Sequence, residues 1–272
     1  MRFNASIVVT VLAMVCWSIL IEPGLMITRH EKLTKWQYEP LKIVFFSDLH
    51  AGAPHIDLAY IDRLVSEINS QTPQLILIGG DLVINGVIGG RAPAFTDVAK
   101  ILGNLRATHG VFAVLGNHDW WNETDVIREK LEANGIRVLE NQSTLIHISE
   151  KSKLNLIGIG DDFTAHADAD AAFAESKSEY PKIVLMHDPG AALNMQQTFD
   201  LALAGHTHGG QIYLPIYGAL VTPGRAPRKW ARGWVHSKLG PLFVSTGLGT
   251  SILPIRFNAP PEFVVLELGS SN

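Results

Sequence analysis

From residue 41 onward the chain repeats one pattern: a short apolar run that stops at a glycine or a polar cluster. The runs lie at residues 43–46, 75–78, 111–115, 155–159, 183–186, 201–204, 242–245 and 263–268. They are short and mostly rich in β-branched residues, so they read as buried strands. Between several of them lie segments of helical spacing. Residues 57–70 place Asp57 at a plausible N-cap and apolar side chains at Leu58, Ile61, Leu64, Val65 and Ile68. Residues 95–105 and 124–134 read the same way, with Gly103 and Gly135 at or near helix-stop positions. Alternating strands and helices predict an α/β fold. The part after residue 141 has more strand and less helix, which predicts a second sheet packed on the first with helices outside. There is no internal repeat and no low-complexity segment.

Composition narrows the chemistry. A hydrophobic content of 47% in 272 residues is enough for one sizeable core, and 18% charged residues argue against wholesale disorder. The net charge of −4 does not suit a general nucleic-acid binder, so no nucleic-acid partner is expected. The single cysteine, Cys16, permits neither an internal disulfide nor a cysteine zinc site. Any metal must be held by His, carboxylate or amide oxygen, a donor set suited to Mn, Fe, Zn or Mg.

The N-terminus carries a membrane signal. Residues 5–21 are uncharged and as a helix would span about 25 Å. Residues 24–27 extend the apolar stretch, interrupted by Glu22 and Pro23. No small-x-small cleavage site stands in residues 17–28, so the expectation is a retained single-pass anchor over 1–27, a linker over 28–40 and one domain over 41–272. Arg2 precedes the apolar run and Arg29, Lys32, Lys35 and Lys42 follow it, which leans the domain toward the cytoplasm.

Five of the strands run into metal-capable side chains: Asp48 and His50, Asp81, Asn117 with His118 and Asp119, His187, and His206 with His208. Binding sites in α/β sheets gather at the carboxyl ends of strands. Taken singly, each cluster has an ordinary explanation, such as Asp48 capping a turn or His187 serving a loop. All five explanations must hold at once for the site to vanish. A pair of metals that clamps both oxygens of a displacement at phosphorus needs about seven protein ligands, one of them a bridging carboxylate. The clusters supply that set with one His to spare. The remaining histidines lack such a setting, and Asp161-Asp162 reads equally well as a turn.

At Asp48-Leu49-His50, Gly80-Asp81, Gly116-Asn117-His118-Asp119, Met186-His187 and Gly205-His206-Thr207-His208 the sequence resembles the calcineurin-like metallophosphoesterase superfamily. Ile21-Glu22-Pro23 and the stretch from Gly247-Leu248-Gly249-Thr250 to Pro260-Pro261-Glu262 make it similar to a membrane-linked bacterial branch. That branch includes enzymes similar to UDP-2,3-diacylglucosamine pyrophosphatase of lipid A biosynthesis. The resemblance implies a four-layer α/β/β/α sandwich of two mixed sheets. It also implies two divalent metal ions, the first on Asp48, His50 and His208, the second on Asn117, His187 and His206, with Asp81 bridging. His118 would meet the scissile phosphate and protonate the leaving oxygen, Asp119 would orient it, and a metal-bound hydroxide would attack. One departure from the family pattern is that Ile84 and Asn85 stand where a second acidic residue is common.

An anchored phosphoesterase would meet a lipid-linked or nucleotide-sugar substrate, or another phosphate-containing small molecule. Trp120-Trp121 could line an apolar rim, and Arg225, Arg228, Lys229 and Arg232 form a basic loop. The alternative from another class is a membrane-tethered scaffold that keeps the fold without catalysis; such relatives lose ligands, and this chain keeps the whole set. A nuclease is disfavoured by the anchor and by the lack of a general basic excess.

Overall fold

The computed structural model describes residues 5–269; residues 1–4 of the expected anchor, with Arg2, and residues 270–272 of the expected domain lie outside the described residues. Among the described residues fourteen strands follow one another. They are β1 (Ile27–Leu33), β2 (Leu41–Phe46), β3 (Leu75–Ile78), β4 (Val111–Ala113), β5 (Ile136–Val138), β6 (Gln142–His147) and β7 (Lys153–Gly158). After these come β8 (Lys182–Leu185), β9 (Leu201–Ala204), β10 (Tyr213–Leu214), β11 (Gly218–Ala219), β12 (Gly233–His236), β13 (Pro241–Val244) and β14 (Glu262–Leu268). The α-helices are α1 (Ala5–Cys16), α2 (Leu58–Ser70), α3 (Phe95–Leu102), α4 (Asn117–Trp120), α5 (Thr124–Ala133) and α6 (Ala169–Phe173). Asp57 caps α2 as its sequence suggests, accepting a hydrogen bond from Tyr60 N at 2.7 Å.

Two six-stranded mixed sheets carry the fold, ordered β1-β14-β2-β3-β4-β5 and β12-β13-β9-β8-β7-β6. The strands β2 to β5 are mutually parallel, as are β7, β8, β9 and β13. Antiparallel partners flank them: β14 on β2, β12 on β13 and β6 on β7.

Side-chain alternation explains the layers. On β2 and β3, Val44, Phe46, Ile76 and Ile78 face α2, α3 and α5. Their neighbours Ile43, Phe45, Leu75 and Leu77 face the second sheet, meeting Leu156, Ile183, Leu185, Leu201, Leu203 and Phe243. The far side of the second sheet, with Ile157, Val184, Ala202 and Val244, packs on Ala172 and Phe173 of α6 and on Met195 and Phe199. Each such buried aliphatic or aromatic side chain stabilises the fold by about 1.5–3 kcal/mol before entropy is counted. The four layers are therefore present, the outermost one thin, because α6 is short and the rest of that layer is irregular chain.

The expected linker over 28–40 is not one: β1 occupies Ile27–Leu33 and pairs in parallel with β14. Polar Thr28, Arg29, His30, Glu31 and Lys32 disguise it, because an edge strand needs an apolar partner on one side only. Among the described residues one helical stretch, Ser6–Gly24, is long and apolar enough to cross a membrane.

Candidate metal centre

The carboxyl ends of β2, β3 and β4 in one sheet face those of β8 and β9 in the other, and the donors converge where they meet. Asp48, His50, Asp81, Asn117, His118, His187, His206 and His208 are all buried. The backbone turns sharply to aim them inward. Asp48, His50, Asp81, His206 and His208 all hold positive φ, at 54°, 45°, 55°, 67° and 50°. That region costs a non-glycine residue roughly 1–3 kcal/mol and persists only where the surroundings enforce it. Space is short as well. A Cβ at Gly205 would strike Ser47 and Asp48, and one at Gly116 would meet Asp81 N and His187 Cε1, each at 2.7 Å.

The donors form two trios joined through Asp81. His208 Nε2 lies 3.4 Å from Asp48 Oδ1 and 3.1 Å from His50 Nε2. His187 Nε2 lies 3.1 Å from His206 Nδ1 and 3.2 Å from Asn117 Oδ1. Asp81 Oδ2 sits between the trios, 3.5 Å from His50 Nε2 and 3.3 Å from His187 Nε2. Its other oxygen, Oδ1, accepts from His118 N at 2.8 Å. Three sets of donor atoms close enough to hold an ion result: Asp48–His50–His208, His50–Asp81–His118 and Asp81–His187–His206.

Backbone carbonyls orient two of the rings. His187 Nδ1 contacts Gly79 O at 2.7 Å and His208 Nδ1 contacts Gly249 O at 3.3 Å, so each ring is held with its Nε2 pointing inward. Ring nitrogens then face other ring nitrogens and carboxyl or amide oxygens at about 3 Å with too few protons to go round. A divalent cation is the partner that satisfies such a set, and the residues fit one.

Electrostatics agree. Burial lowers the His50 pKa to about 3, opposed by Asp81, and burial with neighbouring histidines holds His206 and His208 well below the ordinary range. The shift in all three favours the neutral ring, the form in which imidazole binds metal. Burial also opposes the charge on His187, but Asp81 and Asp48 outweigh it and raise its pKa. Asp48 is pushed up to about 6 by burial. Carboxylates packed so deeply require a positive charge among them.

His118 stands at the mouth of the cluster. Its ring is edge-on to His50, with centroids 4.6 Å apart, and its Nε2 is 3.4 Å from Ser251 Oγ, while its Nδ1 is buried without a hydrogen-bond partner among the described residues. Asp119 does not orient this ring, contrary to the sequence-based expectation. Its carboxylate accepts from Asp81 N at 2.8 Å, Leu82 N at 2.8 Å and Gly116 N at 3.0 Å, which ties the Asp81 turn to the Asn117 turn. Trp121 and Phe163 border the mouth, 5.0 Å from His118 and 5.1 Å from His206 between ring centroids. Trp120 instead stacks on His166. Asp161 accepts from Thr164 in a turn and Asp162 pairs with Arg225, so neither joins the donor cluster.

Sequence reading gives no role to Arg256, yet it is fully buried behind the site. Its guanidinium donates to the carbonyls of Thr246, Gly247, Gly249 and Ala259. Gly249 N in turn donates to Asp48 O at 2.6 Å, and Gly249 O receives His208 Nδ1. A charge satisfied by backbone carbonyls leaves no spacing pattern, so only the fold exposes this arrangement.

Comparison with known proteins points the same way. The calcineurin-like phosphoesterase family matches residues 41–210. The uncharacterized metallophosphoesterase YkuE of Bacillus subtilis (strain 168) is 32% identical over 237 residues, covering 86% of this chain and 81% of that protein. The phosphodiesterase YaeI of Escherichia coli (strain K12) is 33% identical over 233 residues, covering 84% and 82%. A Danio rerio transmembrane protein with metallophosphoesterase domain is 30% identical over 242 residues, covering 84% of this chain and 53% of that protein. With the family matching residues 41–210 and two bacterial relatives above 30% identity aligned over about four-fifths of their length, this chain belongs to the calcineurin-like phosphoesterases, hydrolases of phosphoester bonds that use divalent metals.

Proposed function

We propose that this chain is a membrane-anchored phosphodiesterase or pyrophosphatase that uses two divalent metals. Asp48, His50 and His208 would hold the first, Asn117, His187 and His206 the second, and Asp81 would be shared between them. The observation that carries this is Asp81 Oδ2, placed within 3.5 Å of a ring nitrogen from each trio. When bound, the metals neutralise the phosphate and make a water-derived nucleophile available near neutral pH. The chain's residues do the rest. The left-handed turns hold the donors in place without reorganisation, and Asp119 fixes the turn that carries Asp81. His118, without a hydrogen-bond partner at Nδ1 among the described residues and only loosely held at Nε2 by Ser251, is placed to give a proton to the leaving oxygen. Trp121 and Phe163 pack edge to face beside His118, an apolar border to the mouth.

The apolar stretch Ser6–Gly24 supports anchoring, and the transmembrane name of the Danio rerio relative agrees with it. An anchored enzyme of this class suits a lipid-linked or nucleotide-sugar phosphoester, UDP-2,3-diacylglucosamine being one such substrate. The deciding experiment is hydrolysis of bis-p-nitrophenyl phosphate with added Mn²⁺, with metal content measured in parallel. Wild type should turn over and carry close to two metals per chain; Asp81→Ala should lose both properties, and His118→Ala should lose turnover while keeping metal. A wild type inert with every divalent metal, or a fully active Asp81→Ala, would refute the proposal.

A further inference from the structure

Topology fixes where the apolar N-terminal stretch leaves the domain. β1 is parallel to β14, and β14 is antiparallel to β2, so Ile27 lies level with the carboxyl end of β2, which leads into Asp48 and His50. The junction is fastened at that end. Arg256 N donates to Ser18 O at 2.9 Å, Ala259 N donates to Glu22 Oε1 at 2.7 Å, His55 Nε2 contacts Ile19 O at 2.9 Å, and the Tyr60 hydroxyl donates to Leu25 O at 3.2 Å.

The segment that holds Arg256 also reaches the site, where Ser251 meets His118. Between these two contacts Ile252 and Leu253 point into solvent, 66% and 43% exposed. Ile88, 61% exposed, donates its N–H to Ile252 O. The β10–β11 hairpin is bound to the same segment by Tyr213 N donating to Phe257 O at 2.9 Å. Ile216 at the hairpin tip is fully exposed, and Val221 just beyond it is 72% exposed. Single exposed apolar residues are ordinary; a run of them on loops hydrogen-bonded to one another around a catalytic mouth marks a contact surface. Cations flank it. Arg228 lies over the Tyr217 ring at 4.3 Å with Lys229 beside it, both exposed, and Arg232 lies over Tyr213. An apolar tip with basic residues at its rim matches the boundary between acyl chains and anionic headgroups.

We propose that this collar, formed by Ile88, Ile216, Val221, Ile252 and Leu253, rests on the bilayer that the N-terminal helix enters. The mouth of the site then opens at the lipid–water boundary and accepts a phosphoester whose apolar portion stays in the membrane. The inference rests on the anchor and on the hydrolase reading of the same site.

The test uses the full chain in vesicles of phosphatidylcholine and phosphatidylglycerol. In a Cys16→Ala background, Ile216→Cys or Glu150→Cys is labelled with an environment-sensitive fluorophore and exposed to lipids carrying a quencher high on the acyl chain. Glu150 is exposed in the turn between β6 and β7, at the opposite end of the parallel strands. The label at position 216 should be quenched several-fold more than the label at 150; equal quenching overturns the collar. Separately, Ile216→Asp with Val221→Asp should keep wild-type turnover of bis-p-nitrophenyl phosphate and lose about tenfold or more on p-nitrophenyl hexadecyl phosphate in the same vesicles. Equal effects on the two esters also overturn it. If wild type fails to float with the vesicles, the anchor fails and the collar with it. If position 216 is quenched but wild type is inert on the soluble ester, the hydrolase reading fails and the membrane docking stands.

Discussion

Asp119 gathers three backbone N–H groups, from Asp81, Leu82 and Gly116, onto one buried carboxylate. An amide at that position has a single acceptor oxygen, and its NH₂ would face a donor. Asp119→Asn should therefore loosen the Asp81 turn and weaken Mn²⁺ binding by about 10–100-fold, measured by calorimetric titration. If Asp119 merely oriented His118, metal affinity would not change. Arg256 gives a parallel case. Arg256→Met would orphan the carbonyls of Thr246 and Ala259, each costing about 1–3 kcal/mol when buried and unpaired, and would leave Gly247 O and Gly249 O with Glu262 N and His208 Nδ1 alone. Urea unfolding should show a loss of about 3 kcal/mol or more, and Arg256→Lys a smaller one, since an ammonium reaches only some of those acceptors. The donors were legible in the sequence because metal chemistry demands particular side chains beside particular glycines. Arg256 and the three-way grip of Asp119 were not, because both act on backbone groups that every residue possesses.

The strands that were legible are those buried on both faces, such as β3 with Leu75–Ile78, where sequence and burial coincide. The ones missed are β1, β5, β6 and β12, which lie at sheet edges, where one side is exposed and composition turns polar or mixed, and the two-residue strands β10 and β11, too short to show a pattern. The turn between β5 and β6 carries the chain from the first sheet to the second, and Glu140 sits in it. Arg128 of α5 lies 3.5 Å from Glu140 Oε2, while Oε1 is buried without a hydrogen-bond partner among the described residues. Burial raises the Glu140 pKa from 4.5 to about 7, with Arg128 opposing the rise. The folded form thus holds the proton more tightly than the unfolded chain. Below pH 4.5 both forms are protonated and Glu140 costs nothing; between 4.5 and about 7 the unfolded chain ionises first and stability falls as pH rises. Glu140→Gln removes the ionisation. Its unfolding free energy in urea should match wild type near pH 4.5 and exceed it above pH 7, by roughly 1–3 kcal/mol. A difference independent of pH would contradict the assignment.

For the whole molecule the decisive fact is that neither sheet holds the site alone. Asp48, His50, Asp81 and Asn117 follow strands of the first sheet, while His187, His206 and His208 follow strands of the second. The interface between the sheets is itself a continuous apolar core, from Phe45 and Leu77 to Leu185, Leu203 and Phe243. A metal bound to donors from both sheets therefore acts as a clip across that core, and its binding energy adds to the stability of the domain as one unit. At a free Mn²⁺ concentration about 100-fold above Kd, the folded state should gain about 2.7 kcal/mol. For a domain of this size that corresponds to roughly 5–10 °C in the thermal midpoint. The measurement is calorimetry of the full chain in detergent, with chelator and with Mn²⁺. One transition should move upward as a whole, because pulling the sheets apart destroys the site. A fixed transition beside a shifting one would mean that each sheet unfolds separately. Asp81→Asn, which keeps the shape but removes the charge shared by the two trios, should cancel most of the shift while leaving the chelated midpoint close to that of wild type or above it, since a buried carboxylate without its cation is a cost to the fold.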